Sequence, residues 1–128
     1  MMPYLWVALG GAIGSVARFW MTLAMVRLTG PAFPWGTLLI NVLGSFVIGL
    51  FAALTGPHGR LPAAADFRIF VMGGICGGFT TFSSFSLQTL ELLREGRPLP
   101  ALVYAGVSVL LCLATVAAGY GLALAQRG

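Results

Sequence analysis

From Gly73 to Ser86 the chain reads Gly73-Gly74-Ile75-Cys76-Gly77-Gly78-Phe79-Thr80-Thr81-Phe82-Ser83-Ser84-Phe85-Ser86. Four glycines crowd one short window, and hydroxyls then alternate with phenyl rings. The glycines predict a discontinuity in a helix. At membrane depth a break leaves backbone groups that are tolerable only inside protein or along a cavity. Exposed carbonyls at such a break can hold a cation. N–H and hydroxyl donors, with the positive end of the following half-helix, suit an anion instead. Phe79, Phe82 and Phe85 recur at a spacing of three and can share a face. Their ring edges are the positive end of the aromatic quadrupole and attract a small anion without trapping it. The plainer alternative makes the glycines a close-packing segment and the rings filler.

Two further stripes carry polar groups through otherwise apolar sequence. Thr37, Asn41 and Ser45 fall at i, i+4 and i+8, and so share one helix face. Asn41 offers two donors and two acceptor lone pairs, and serves either as interhelical glue or as part of a polar pathway. Tyr104, Ser108 and Cys112, followed by Thr115, form the second stripe. Its hydroxyls either replace part of an ion's hydration shell or bond back to their own helix. Gly10, Gly14 and Arg18 also recur at i+4. The glycines read as a packing face. Arg18 needs water, carbonyls or a ligand to offset its cost in the middle of a span.

Asp, Glu, Lys and His do not occur in the middle of these apolar stretches; Glu91 lies near a span end and His58 in a loop. A carboxylate-coupled exchanger, which needs an intramembrane ionisable relay, is therefore disfavoured. So is an enzyme. Ser83, Ser84 and Ser86 have no nearby base, and no His, Cys and carboxylate set has metal-binding spacing.

The elements that must position these groups follow from composition. The chain has 128 residues, 59% of them hydrophobic and only 8% charged, with mean hydropathy +0.96. An ordinary soluble domain carries about a quarter charged residues. The reading is an all-α integral membrane protein, with residues 1–128 forming a single four-helix transmembrane domain. Spans are predicted over 4–26, 35–55, 67–93 and 99–124, separated by Gly30, Pro31 and Pro34, by the Gly56–Arg60 stretch and Pro62, and by residues 94–98. Short loops predict that consecutive helices are antiparallel neighbours, with nothing left over for a soluble domain. The first span lacks a basic leader and contains Arg18, so it is expected to stay in the mature protein. Tyr4, Trp6, Trp20, Trp35 and Tyr120 are expected toward span ends, at headgroup depth.

The net charge of +4 comes from seven basic residues, all Arg, against three acidic ones, and apart from Arg18 the arginines are spread over the loops and span ends. That is too thin for a phosphate-backbone binder, so nucleic acid is not a predicted partner. Arg60, Arg68 and Arg127 fall on one side of the membrane, and Arg27, Arg94 and Arg97 on the other. Equal counts give almost no preferred orientation, which permits insertion both ways up. Cys76 and Cys112 lie in apolar sequence and do not suggest a disulfide.

Taken together, Gly10-Gly11-Ala12-Ile13-Gly14 with Arg18, Trp35 through Ser45, and above all Gly73 through Ser86 resemble the Fluc/CrcB fluoride ion channel family, over nearly the whole chain. The resemblance implies an antiparallel, dual-topology homodimer of four-helix subunits in the cell membrane, with the third helices broken. It implies passive, selective fluoride export through two pathways per dimer, with no soluble protein partner. Asn41, Phe82 and Phe85 match pore positions. Thr37, Tyr104 and Ser108 match polar positions near the pathways, and the hydroxyls of Thr81 and Ser83 are placed with them. Arg18 matches the arginine of the aqueous approach. Backbone carbonyls matching Gly77 and Thr80 would hold a central structural Na+. Gln88 stands where many relatives have Glu, and Cys112 is a weaker donor than Ser. A proton-coupled fluoride transporter and a non-transporting membrane assembly protein are the competing readings.

Overall fold

The computed structural model describes residues 2–125, so Arg127 of the charge count lies outside the described residues. Every regular element in it is helical: α1 (Met2–Thr29), α2 (Trp35–Thr55), α3 (65–79), α4 (Phe82–Arg94) and α5 (Pro98–Ala125). Helices α3 and α4 together make the third span. A 28-residue helix rises about 42 Å, more than the hydrocarbon thickness of a bilayer. Helix ends fall where local chemistry puts them. Gly30 and Gly96 adopt φ of +78° and +74°, the left-handed geometry that stops α1 and α4 and that side chains resist. Pro98 occupies the first position of α5, where its missing N–H costs nothing.

Four spans have mean hydropathy of 1.3 to 2.2, yet at most 33% of any span's most apolar window is buried within the chain. Rows of Leu, Val, Ile and Phe therefore face outward on all sides. That is untenable in water and natural in lipid. The chain is a multi-pass membrane protein.

The heaviest packing is between non-consecutive helices, α2 with α5 and α1 with α3. The consecutive pair α1 and α2 touches less. Glycines decide this. A Cβ on Gly49 would collide with the Val116 carbonyl, and one on Gly119 with the Phe46 carbonyl. Gly10 and Gly14 meet the backbone of Phe70, Gly74 and Ile75 in the same way, and Gly78 meets Gly11. Without Cβ atoms these helix axes approach until backbones touch, the main source of association in lipid. A small apolar core of Leu38, Leu92, Ala101 and Tyr104, with Phe33, Val42 and Phe85 against it, ties α2, α4 and α5 together.

The third span is broken, as expected, and one detail needs correction: its position. Within the glycine window the chain only widens to π turns over Ile69–Cys76 and then continues as α-helix over Gly77–Phe79. The chain leaves helical geometry only at Thr80 (ψ 157°) and Thr81 (φ −153°). Gly74 and Gly78 are used for backbone contact with α1, which supports the helix through them. Trp20 lies in the C-terminal half of α1 and is exposed, with Ala12, Ile13, Val16 and Ala17 beside it.

Arg68 closes the hairpin from α2 to α3. Its Nε donates to Thr55 Oγ1 at 3.1 Å and its Nη2 to the Ala52 carbonyl at 3.2 Å. It thereby caps the negative end of α2.

Candidate functional site

The break at Thr80–Thr81 is held open by side chains that take over the hydrogen bonds a continuous helix would have made. The Thr81 N–H donates to Asn41 Oδ1 at 2.8 Å, and Asn41 Nδ2 donates back to the Thr81 carbonyl at 3.1 Å. Thr81 is also the N-cap of α4, its Oγ1 accepting the Ser84 N–H at 3.1 Å. Arg18 Nε donates to the Gly78 carbonyl at 3.1 Å. In an unbroken helix the Gly77 carbonyl would receive the Thr81 N–H, and the Thr80 carbonyl the Ser84 N–H. Both donors are committed elsewhere, so the two carbonyls are released at the break.

Asn41 is thus a clamp. One donor and one acceptor are used on Thr81, leaving one N–H and one lone pair. Thr80 back-bonds through its N–H and its Oγ1 to the Cys76 carbonyl, each at 3.0 Å. Ser83, exposed on α4, lies with its Oγ 3.2 Å from Thr81 Oγ1.

Beside the break opens an inner cavity of about 380 Å³. Asn41 and Ser45 reach it from α2, Gly77 and Thr80 from the break, Phe82 and Phe85 from α4, and Ser108 and Cys112 from α5. The Ser108 hydroxyl is buried and has no hydrogen-bond partner. An unmet hydroxyl of that kind costs about 1–3 kcal/mol unless something fills the need. Phe82 and Phe85 stack with centroids 5.4 Å apart, and Phe85 continues to Tyr104 at 5.2 Å. Phe82 is 76% exposed, which leaves its wall of the cavity open.

One helical turn from this cavity lies a polar layer, since Thr37 precedes Asn41 by four residues, Gln88 follows Phe85 by three, and Tyr104 precedes Ser108 by four. Tyr104 is fully buried and donates its hydroxyl to Gln88 Oε1 at 2.9 Å. Thr37 is buried beside it. Beyond the layer is an outer cavity of about 160 Å³, lined by Thr37 and Gln88 inside and by Thr29, Glu91 and Glu95 farther out. Inner cavity, polar layer and outer cavity make a file along α2, α4 and α5.

Of the polar and aromatic residues singled out in sequence, Thr37, Asn41, Thr81, Phe82, Ser83, Phe85, Tyr104 and Ser108 fall on or beside this file. Arg18 does not; it stands behind the break as an anchor for Gly78. Sequence reasoning missed the Tyr104–Gln88 pair and the outer cavity. Thr115, at the end of the Tyr104 stripe, bonds to the Val42 and Cys112 carbonyls at 3.3 and 3.2 Å and is helix glue.

Residues 5–120 match the family model described as "CrcB-like protein, Camphor Resistance (CrcB)". Among similar curated proteins is a fluoride-specific ion channel FluC of Methylocella silvestris, 53% identical over 97% of this chain and 95% of its own length. A fluoride-specific ion channel FluC of Rhodospirillum rubrum is 52% identical over 99% of both chains. One from Opitutus terrae is 54% identical over 94% of this chain and 91% of its own.

Proposed function

The chain belongs to the CrcB family, and from that membership and the site we propose that it is a channel, not an enzyme, through which fluoride leaves the cell passively across the cell membrane. The observation that carries the reading is the buried, unpartnered Ser108 hydroxyl on the wall of a cavity shared with the Asn41 amide and the Phe82 and Phe85 rings. Fluoride is small and strongly hydrated, so several close donors must replace its water. Chloride is larger and meets the same donors less well. Neutral HF crosses membranes and dissociates in a less acidic cytoplasm, which traps fluoride inside and supplies the outward gradient.

The pathway residues in this reading are Asn41, Phe82, Phe85 and Ser108 around the inner cavity, Thr37 and Tyr104 in the polar layer, and the Thr81 and Ser83 hydroxyls at the break. Arg18 lines neither cavity; in this reading its charge draws anions toward the aqueous approach from a distance while its Nε holds the Gly78 carbonyl.

A second copy, inverted in the membrane, completes the site. Phe82 and the open inner cavity favour this partner, because an aromatic wall and released backbone carbonyls gain most from being covered. The equal arginine counts on the two sides agree with insertion in both orientations. The Gly77 and Thr80 carbonyls fit a structural Na+: they are hard oxygen donors freed from helical hydrogen bonding, two per chain and four in a pair. When bound, the ion would supply a fixed positive charge at the centre of the dimer.

Fluoride efflux from liposomes containing the purified chain, compared with chloride, tests the function. Rapid fluoride and negligible chloride loss is expected. Equal rates reject selectivity. A reversal potential that moves with an imposed pH gradient replaces the channel with a proton-coupled transporter, and a stable dimer without flux leaves only an assembly protein.

A further inference from the structure

Glu91 and Glu95 both line the outer cavity whose inner end is Thr37 and Gln88. Glu91 follows Gln88 by three residues on α4, one turn closer to the aqueous end. The two carboxylates differ in their partners. Glu95 pairs with Arg97 at 3.7 Å, and Arg97 is held in place by the Ala32 carbonyl. Glu91 has no ion-pair partner among the described residues. Arg94, three residues farther along α4, and Arg27, in the last turn of α1, do not line this cavity. The lining of this mouth thus includes one carboxylate with no ion-pair partner among the described residues, on a wall whose deeper groups are donors suited to an anion.

We propose that Glu91 is an electrostatic restraint on fluoride entry through the outer cavity. The inference rests on the channel reading above. A fixed charge at the mouth of a low-dielectric cleft sets the local concentration of mobile ions, and a carboxylate depletes anions there. Because the restraint acts on charge alone, it lowers throughput for every anion and leaves the preference for fluoride over chloride to the deeper residues. Its reach follows the Debye length, about 30 Å at 0.01 M ionic strength and about 3 Å at 1 M.

Initial fluoride efflux from liposomes containing the full chain, measured at those two ionic strengths, tests the proposal. At about 0.01 M, Glu91→Gln should raise efflux about two- to fivefold, Glu91→Lys further still, and Glu91→Asp not at all. At about 1 M all four proteins should converge, with the fluoride-to-chloride ratio unchanged throughout. Glu91 is exposed on α4, so these variants retain the fold. If the wild-type chain conducts but Glu91→Gln matches it at low salt, or gains equally at both salt concentrations, the role of Glu91 is overturned and the channel reading stands. If wild type carries no fluoride, both fall.

Discussion

The two halves of the third span meet their neighbours by opposite means. Helix α3 lies against α1 through Gly10, Gly14, Gly74 and Gly78, where backbone meets backbone. Helix α4 begins where Asn41, Thr81 and Arg18 have taken over helical hydrogen-bonding groups. Both segments are rich in helix-weakening residues, yet only the second breaks. Glycine removes a side chain but leaves every helical hydrogen bond available. Polar side chains from neighbouring helices compete for those bonds, and in lipid the competitor that satisfies the backbone decides the geometry.

The largest effect that would test this contrast is on the glycine side. Gly14→Val and Gly74→Val place carbons where the Ile75 carbonyl and Gly10 backbone already stand, an overpacking that costs about 1–3 kcal/mol or more. Loss of folded protein on size exclusion is expected. Gly106→Ala, where a Cβ meets open space, should leave recovery unchanged.

On the polar side, Asn41→Ala leaves the Thr81 N–H without its acceptor, a loss of about 1–3 kcal/mol. Fluoride efflux should fall by more than about tenfold, which 1.4 kcal/mol already represents, while dimer recovery falls much less. Near-normal efflux would mean that the break survives without its clamp. Phe82→Ile and Phe85→Ile retain bulk and remove ring edges worth about 0.5–1.5 kcal/mol. Efflux should drop about two- to tenfold on that basis, with little change in thermal stability; unchanged transport in both would make the rings filler. The smallest expected effect is at the cap. Thr81→Ala should cost about 1 kcal/mol of stability by thermal melting, and Thr81→Ser almost nothing.

The spans were legible because hydropathy and punctuation are local properties: Gly30, Pro34 and Gly96 mark ends within a few residues of where helices stop. The stripes were legible because a helix repeats every 3.6 residues, so Thr37 and Asn41, and Tyr104 and Ser108, had to share faces. The position of the break was not. It depends on an amide that reaches Thr81 from 40 residues away and on a guanidinium that reaches Gly78 from 60 residues away. No local pattern encodes either. Asn41 shows the limit most clearly: its spacing fits glue and pathway equally, and its amide clamps the break while also lining the inner cavity. In sequence Gln88 stands out only as a departure from the family pattern, although its hydrogen bond with Tyr104 fixes the polar layer.

The wide-turn stretch Ile69–Cys76 sets the bearing of everything after it. A π turn carries more residues per revolution than an α turn, so each neighbouring side chain is advanced by less than the usual angle of about 100°. Shortening that stretch by one residue would keep composition, hydropathy and length almost intact while swinging Thr80, Phe82 and Phe85 around the axis. The aim of the aromatic wall is therefore kept by a count of residues, and an insertion or deletion there is a far graver change than a substitution at most positions nearby.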